Sequence, residues 1–172
     1  VSKAFTKDDD QDAPPLVPRR PPLPAGVPNY VTPRGLKALR AELAELVTEL
    51  AHTRADLDEP ERVRSAAALG ERIAELEVRI GSAELVAAPE PPPNEVRFGA
   101  RVSVRNQAGV ERTYQLVGVD EANASEGRIA FLAPLARALL GKRVGESVLL
   151  RTPHGEEELE IVHLEYEATD RA

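Results

Sequence analysis

Between residues 32 and 86, leucines fall at Leu36, Leu39, Leu43, Leu46, Leu50 and Leu57, a 3-4-3-4-7 spacing. That is a heptad seam, the signature of a helix with one apolar stripe. Thr32 followed by Pro33 supplies an N-cap and a first helical residue whose missing N–H costs nothing. A second seam follows at Ala66, Leu69, Ile73, Leu76, Ile80 and Ala83, spaced 3-4-3-4-3. Two seams of similar length separated by one short turn predict an antiparallel α-helical coiled-coil hairpin. Arms of about 22–26 residues make a rod of ~33–39 Å, with the turn at its far end. The small seam residues Ala66 and Ala83 let the helices approach closely but bury little apolar surface. The base of the rod is therefore expected to lean on the rest of the chain.

After the proline-rich stretch AAPEPPPN (87–94) the periodicity changes from helical to alternating, broken by Gly and Asn. Strands are expected over 101–105, 111–119, 128–131, 147–151 and 157–167, with a short helix over 134–140 ended by Gly141. The product is an antiparallel β-sheet with one short helix. The fold class is α+β, with 1–29 as a disordered proline-rich arm, 30–86 as the hairpin, 87–95 as a linker and 96–172 as the second domain. The arm holds seven of the fifteen prolines and has no apolar period, so it lacks the surface to offset its ordering entropy.

Composition removes several classes of function. The formal net charge of −7 opposes coating of bare duplex DNA, which relies on clustered Lys and Arg. Any nucleic acid is then expected to be presented by another protein. The chain has no Cys, which excludes disulfides and thiolate chemistry. No apolar run approaches the ~20 residues of a membrane span and the N-terminus has no signal-peptide core, so a cytoplasmic monomer without a membrane partner is expected.

The candidate chemistry lies in the turn, RADLDEPER at 54–62, with four carboxylates in nine residues: Asp56, Asp58, Glu59 and Glu61. One reading is purely structural. Glu59, pushed out of helical geometry by Pro60, caps the second helix, and the acids favour its positive end. The other is an acidic tip carrying magnesium, a hard cation that accepts one or two carboxylates and keeps several waters. Two such ions can clamp the attacking and leaving oxygens of phosphodiester hydrolysis. A lone acidic loop cannot supply both ions and a cleft, so it would complete another protein's site. The basic residues of the rod, Arg54, Arg62, Arg64, Arg72 and Arg79, alternate with acids and read as solvated ion pairs, with contact to a nearby RNA end as the alternative. His52, His154 and His163 share no metal-ligand spacing.

NYVTPRGLKALRAELAEL (29–46), ERIAELEVRIGSAELV (71–86), FGARVSV (98–104) and RIAFLAPLARALLGKRVGESVLLRTPHGEEELEIVHLEY (128–166) together resemble the Gre transcript-cleavage factors, closer to GreB than to GreA. The resemblance implies an FKBP-like second domain and bacterial RNA polymerase as partner. It also implies a hairpin inserted in the polymerase's secondary channel, stimulating cleavage of backtracked RNA. In that family the tip reads Asp-Leu-x-Glu followed by Asn-Ala-Glu-Tyr, and its first two acids help hold the second Mg2+. Asp56 and Glu59 keep the first half's spacing and are the implied catalytic and metal residues, with Asp58 and Glu61 as accessories. Pro60-Glu61-Arg62-Val63 replaces the second half. The hairpin is also shorter by about two turns, roughly 11 Å if the loss is shared. The magnesium belongs to the complex with polymerase, and the nascent RNA 3′ end is met only indirectly. Docking is implied for the loop before the short helix, Leu132, Pro134 and Leu135, where the family has Asp-Ser-Pro. The alternatives are a channel regulator without cleavage and a generic interaction module. Prolyl isomerase activity is not expected, since such pockets need a dense aromatic lining and the chain has three Tyr, three Phe and no Trp.

Overall fold

The computed structural model describes residues 20, 22–55, 60–152 and 155–167. The heptad seams become two helices, α1 (Pro33–Arg54) and α2 (Pro60–Gly81), each of 22 residues. At ~1.5 Å per residue each arm is about 33 Å long. Leu39, Leu46, Leu69 and Leu76 are buried between the helices, with Leu36, Leu43, Leu50, Ile73 and Ile80 packed around them. Thr32 caps α1, its Oγ1 accepting from the Gly35 N–H at 3.0 Å.

The second seam outruns its helix. Ala83 packs on the hairpin cluster but lies in strand β2 (Ala83–Leu85), which pairs in parallel with β1 (Asn29–Val31). The helix stops at Gly81, the residue type that loses most entropy in a helix. The Asn29 side-chain amide then donates to the Arg79 carbonyl at 2.7 Å, satisfying a group the ended helix leaves open. Asn29 is buried, and the chain just before it is also placed: it turns at Ala25 and Gly26, and the Val27 N–H returns to the Pro24 carbonyl at 3.2 Å.

The remaining strands are β3 (Ala100–Asn106), β4 (Glu111–Val117), β5 (Arg128–Ala130), β6 (Ser147–Thr152) and β7 (Gly155–Tyr166). They form one curled sheet in the order β5-β4-β3-β7-β6. Three of its pairs are antiparallel, as the alternation predicts, and β4–β5 is parallel. The connection between β4 and β5 holds two 3-10 turns, Val119–Glu121 and Ala124–Glu126, and crosses over instead of folding back as a hairpin. Helix α3 (Pro134–Leu139) lays Ala136 and Leu139 onto the sheet's inner face against Val102, Val104, Leu116, Val148 and Ile161. The sheet's other face carries charged pairs such as Arg105 with Glu111 and Arg101 with Glu165.

Candidate functional site

Two places in the fold bear on function: the far end of the rod, and the joint where the rod meets the sheet domain. At the far end, α1 closes with the Ala55 N–H donating to the carbonyls of Ala51 and His52, both at 3.2 Å, and α2 opens at Pro60. Asp56, Leu57, Asp58 and Glu59 lie outside the described residues. Glu61 is exposed in the first turn of α2, where a carboxylate favours the helix's positive end. Among the described residues no group of three or more His, Asp or Glu side chains could hold a metal ion. His52 and His163 are both exposed, and His163 sits 3.5 Å from Glu165.

The implied docking residues differ in what surrounds them. Pro134 is exposed at the start of α3, and Leu132 and Leu135 are half-buried. Leu135 packs on the sheet domain's core, so it is tied to the fold as well as available at the surface.

The joint combines Thr32 and Arg79 with residues that the sequence pattern did not single out, Glu121, Asp120 and Gly35 among them. Glu121, in the first 3-10 turn, aims its carboxylate at the start of α1. It accepts from the Thr32 N–H at 2.9 Å, the Thr32 hydroxyl at 2.5 Å and the Gly118 N–H at 3.3 Å. Gly35 leaves room for this approach: a Cβ there would lie 2.0 Å from the Glu121 carboxyl carbon. Beside it, Asp120 has a side chain only 3% exposed and stands between two cations. Arg20 Nη1 donates to its Oδ1 at 3.0 Å, and Arg79 Nε lies 3.2 Å from its Oδ2, an ion pair without the alignment of a hydrogen bond. Arg79, expected as a solvated charge on the rod, is instead buried. The helix period carries the reason: it is three residues from Leu76 and one from Ile80, on the edge of the seam. An apolar contact completes the joint, with Tyr30, Phe98 and Phe131 packing mutually at centroid distances of 5.5–5.7 Å.

The charge network continues up the rod. Arg20 Nη2 also pairs with Glu42 on α1, and Arg72 of α2 reaches the other Glu42 oxygen at 2.7 Å. Burial alone would raise the Glu42 carboxyl, but hydrogen bonds from Arg72 and Arg20 outweigh it and hold the group below its ordinary value. The sequence offered one signal for this cluster: charges beside a heptad seam, on the surfaces that helices bury when something packs on them.

Residues 91–166 match the family model for the transcription elongation factor GreA/GreB C-terminal domain. The chain is 36% identical over 166 residues to transcription elongation factor GreB of Pseudomonas aeruginosa, covering 86% of this chain and 95% of that protein. It is 38% identical over 152 residues to transcription elongation factor GreA of Francisella philomiragia, covering 79% and 95%. Among solved structures, GreA factor homolog 1 of Thermus thermophilus covers 79% of this chain at 24% identity, with a TM-score of 0.39.

Three substitutions test the joint and the helices it braces. Gly35→Ala forces the Glu121 carboxylate out of its three hydrogen bonds and should cost about 1–3 kcal/mol in urea unfolding. Gly70→Ala, in the middle of α2 with nothing within 4 Å of the added carbon, should instead gain about 0.5–1 kcal/mol. Glu42→Gln should cost about 1 kcal/mol at neutral pH, as expected for a half-exposed pair. Because folding lowers the Glu42 pKa, the carboxylate's contribution is complete above its unfolded value of about 4.3 and is lost as pH falls through the lower folded value. Melting temperatures of the two proteins should therefore converge as the pH is taken below that range.

Proposed function

The chain belongs to the GreA/GreB family of transcription elongation factors, and from that membership we propose that it binds bacterial RNA polymerase and places its helical hairpin in the secondary channel. There it stimulates the polymerase's own cleavage of backtracked RNA. The observation that carries this reading is the shape of the described chain together with what its far end contains. A rod of two 22-residue helices projects from a sheet domain, and its turn holds Asp56, Asp58 and Glu59. A slender rod of about 33 Å can reach into a channel that a folded domain cannot enter.

In this mechanism the chain is not an enzyme by itself. Asp56 and Glu59 would hold a magnesium ion jointly with carboxylates of the polymerase, and their oxygen donors suit a hard cation that takes only one or two carboxylates from any one partner. When bound, that ion supplies charge neutralisation at the phosphodiester being hydrolysed. Asp58 adds negative charge beside the pair, and Glu61 supports the start of α2. The sheet domain docks on the channel rim through Leu132, Pro134 and Leu135, and the joint fixes the direction in which the rod points.

A second reading, channel occupancy without cleavage, is favoured by one feature. Pro60-Glu61-Arg62-Val63 stands where the family tip continues Asn-Ala-Glu-Tyr, and Pro60 is already the first residue of α2.

Cleavage in a stalled, backtracked elongation complex separates the two. On the cleavage reading, Asp56→Asn and Glu59→Gln each slow RNA cleavage by at least tenfold, about 1.4 kcal/mol, with little change in polymerase affinity. Asp58→Asn acts weakly, and the deficits shrink as magnesium is raised. Tight binding with no cleavage above background at any magnesium concentration would establish the occluding reading. For docking, Leu132→Asp should weaken polymerase binding with the melting temperature kept. Leu135→Asp should lower both, since it also enters the core. Unchanged affinity in a folded Leu132→Asp protein would remove the docking assignment.

A further inference from the structure

The contacts of the joint fall into two groups when measured along the rod. Thr32, Gly35, Tyr30 and Arg79 meet the sheet domain at the rod's base, next to the point about which the rod would swing. Contacts at a pivot hold position but resist rotation weakly. Arg20 is placed differently. Its two terminal nitrogens part, one to Asp120 in the sheet domain and the other to Glu42. Glu42 lies nine residues beyond Pro33, about 14 Å up α1. The guanidinium therefore bridges the sheet domain to the rod at a distance from the pivot, where a bond opposes tilt with a lever arm.

The residues around Arg20 support this role. Pro22 and Leu23 line one groove together with Ala74, Val78 and Arg79 of α2, so the segment faces one helix while Arg20 holds the other. The turn at Ala25 and Gly26, with Gly26 at φ +76°, then leads to the buried Asn29. The segment is thus anchored at Asn29, faces α2 and is tied off at Arg20.

We propose that Arg20 and residues 22–29 form a strap that sets the angle of the hairpin on the sheet domain, with Arg20 as its positioning residue. A tilt of 10° at the base displaces the far end of a 33 Å rod by about 6 Å, so a strap at this point governs where the turn residues arrive. The fork geometry requires arginine. A lysine ammonium offers one point charge and cannot hold two carboxylates on separate elements in fixed directions. The inference concerns the geometry of the free protein and does not depend on what the rod enters.

The chain has no Cys, so spin labels on Glu61→Cys and Gln107→Cys, both exposed positions, report one distance between the rod's far end and the sheet domain. In the otherwise native chain, pulsed electron resonance should give a single narrow distribution. Arg20→Ala should lose that narrow peak, Arg20→Lys should restore it in part, and Glu42→Gln should broaden it with the shape of the side chain kept. Arg72→Ala, which removes the other partner of Glu42 but no tie to the sheet domain, should leave it narrow. Circular dichroism and melting show that each variant is folded. An unchanged distribution in folded Arg20→Ala, or equal broadening in Arg72→Ala, overturns the strap.

Discussion

A buried carboxylate sets the terms for this molecule. Asp120 is almost wholly removed from water, and an unpaired charge in that position would be costly. Its compensation comes from two separate parts of the chain, Arg79 at the end of α2 and Arg20 ahead of β1. The next residue, Glu121, draws its donors from Thr32 and Gly118. These two adjacent acids can be satisfied only when hairpin, sheet domain and N-terminal segment meet in one arrangement. Wrong arrangements leave charge unpaired, so the joint contributes specificity even where its net contribution to stability is small.

The hairpin needs such a joint because its own seam is thin. Few of its side chains are fully buried, and Ala66 fills a position where a larger residue would contribute more. Two helices alone, with one face each to bury, are marginal in water. The base is accordingly reinforced by the parallel β1–β2 pair, the Tyr30 ring cluster and the charged network, all added to the seam that runs along both helices. That gradient suits a projecting rod: rigidity is concentrated where direction is set, and the far end stays slender. The sheet domain has the opposite economy, a continuous core of Val, Leu and Ile under one short helix.

Much of the fold was legible in the residues because it is written in local periods. The heptads of 36–50 and 66–80 and the alternation along β3, β4, β6 and β7 fix helix and strand through which neighbours along the chain share a face. Thr32 and Pro33 announced the start of α1, and Gly141 the end of α3. The acidic turn was equally visible as composition, but its chemistry was not, since exposed acids beside a helix start read the same whether they cap or carry an ion.

What the tertiary structure alone decided are the pairings between distant parts of the chain. The period that continues through Ala83 does not say that the helix stops at Gly81, because the Arg79 carbonyl is taken by Asn29, fifty residues earlier, as well as by the nearby Ser82 hydroxyl. Alternation in 128–131 marks a strand but not its direction; β5 runs parallel to β4 because the crossover between them is long and turned. Arg79 reads as one basic residue among many on the rod, and becomes a buried ion only where Asp120 arrives. Arg20 lies in a stretch whose composition forbids a core of its own, yet it meets a carboxylate one hundred positions away. A local pattern records which residues turn their backs to water, while the identity of what covers them belongs to the three-dimensional arrangement.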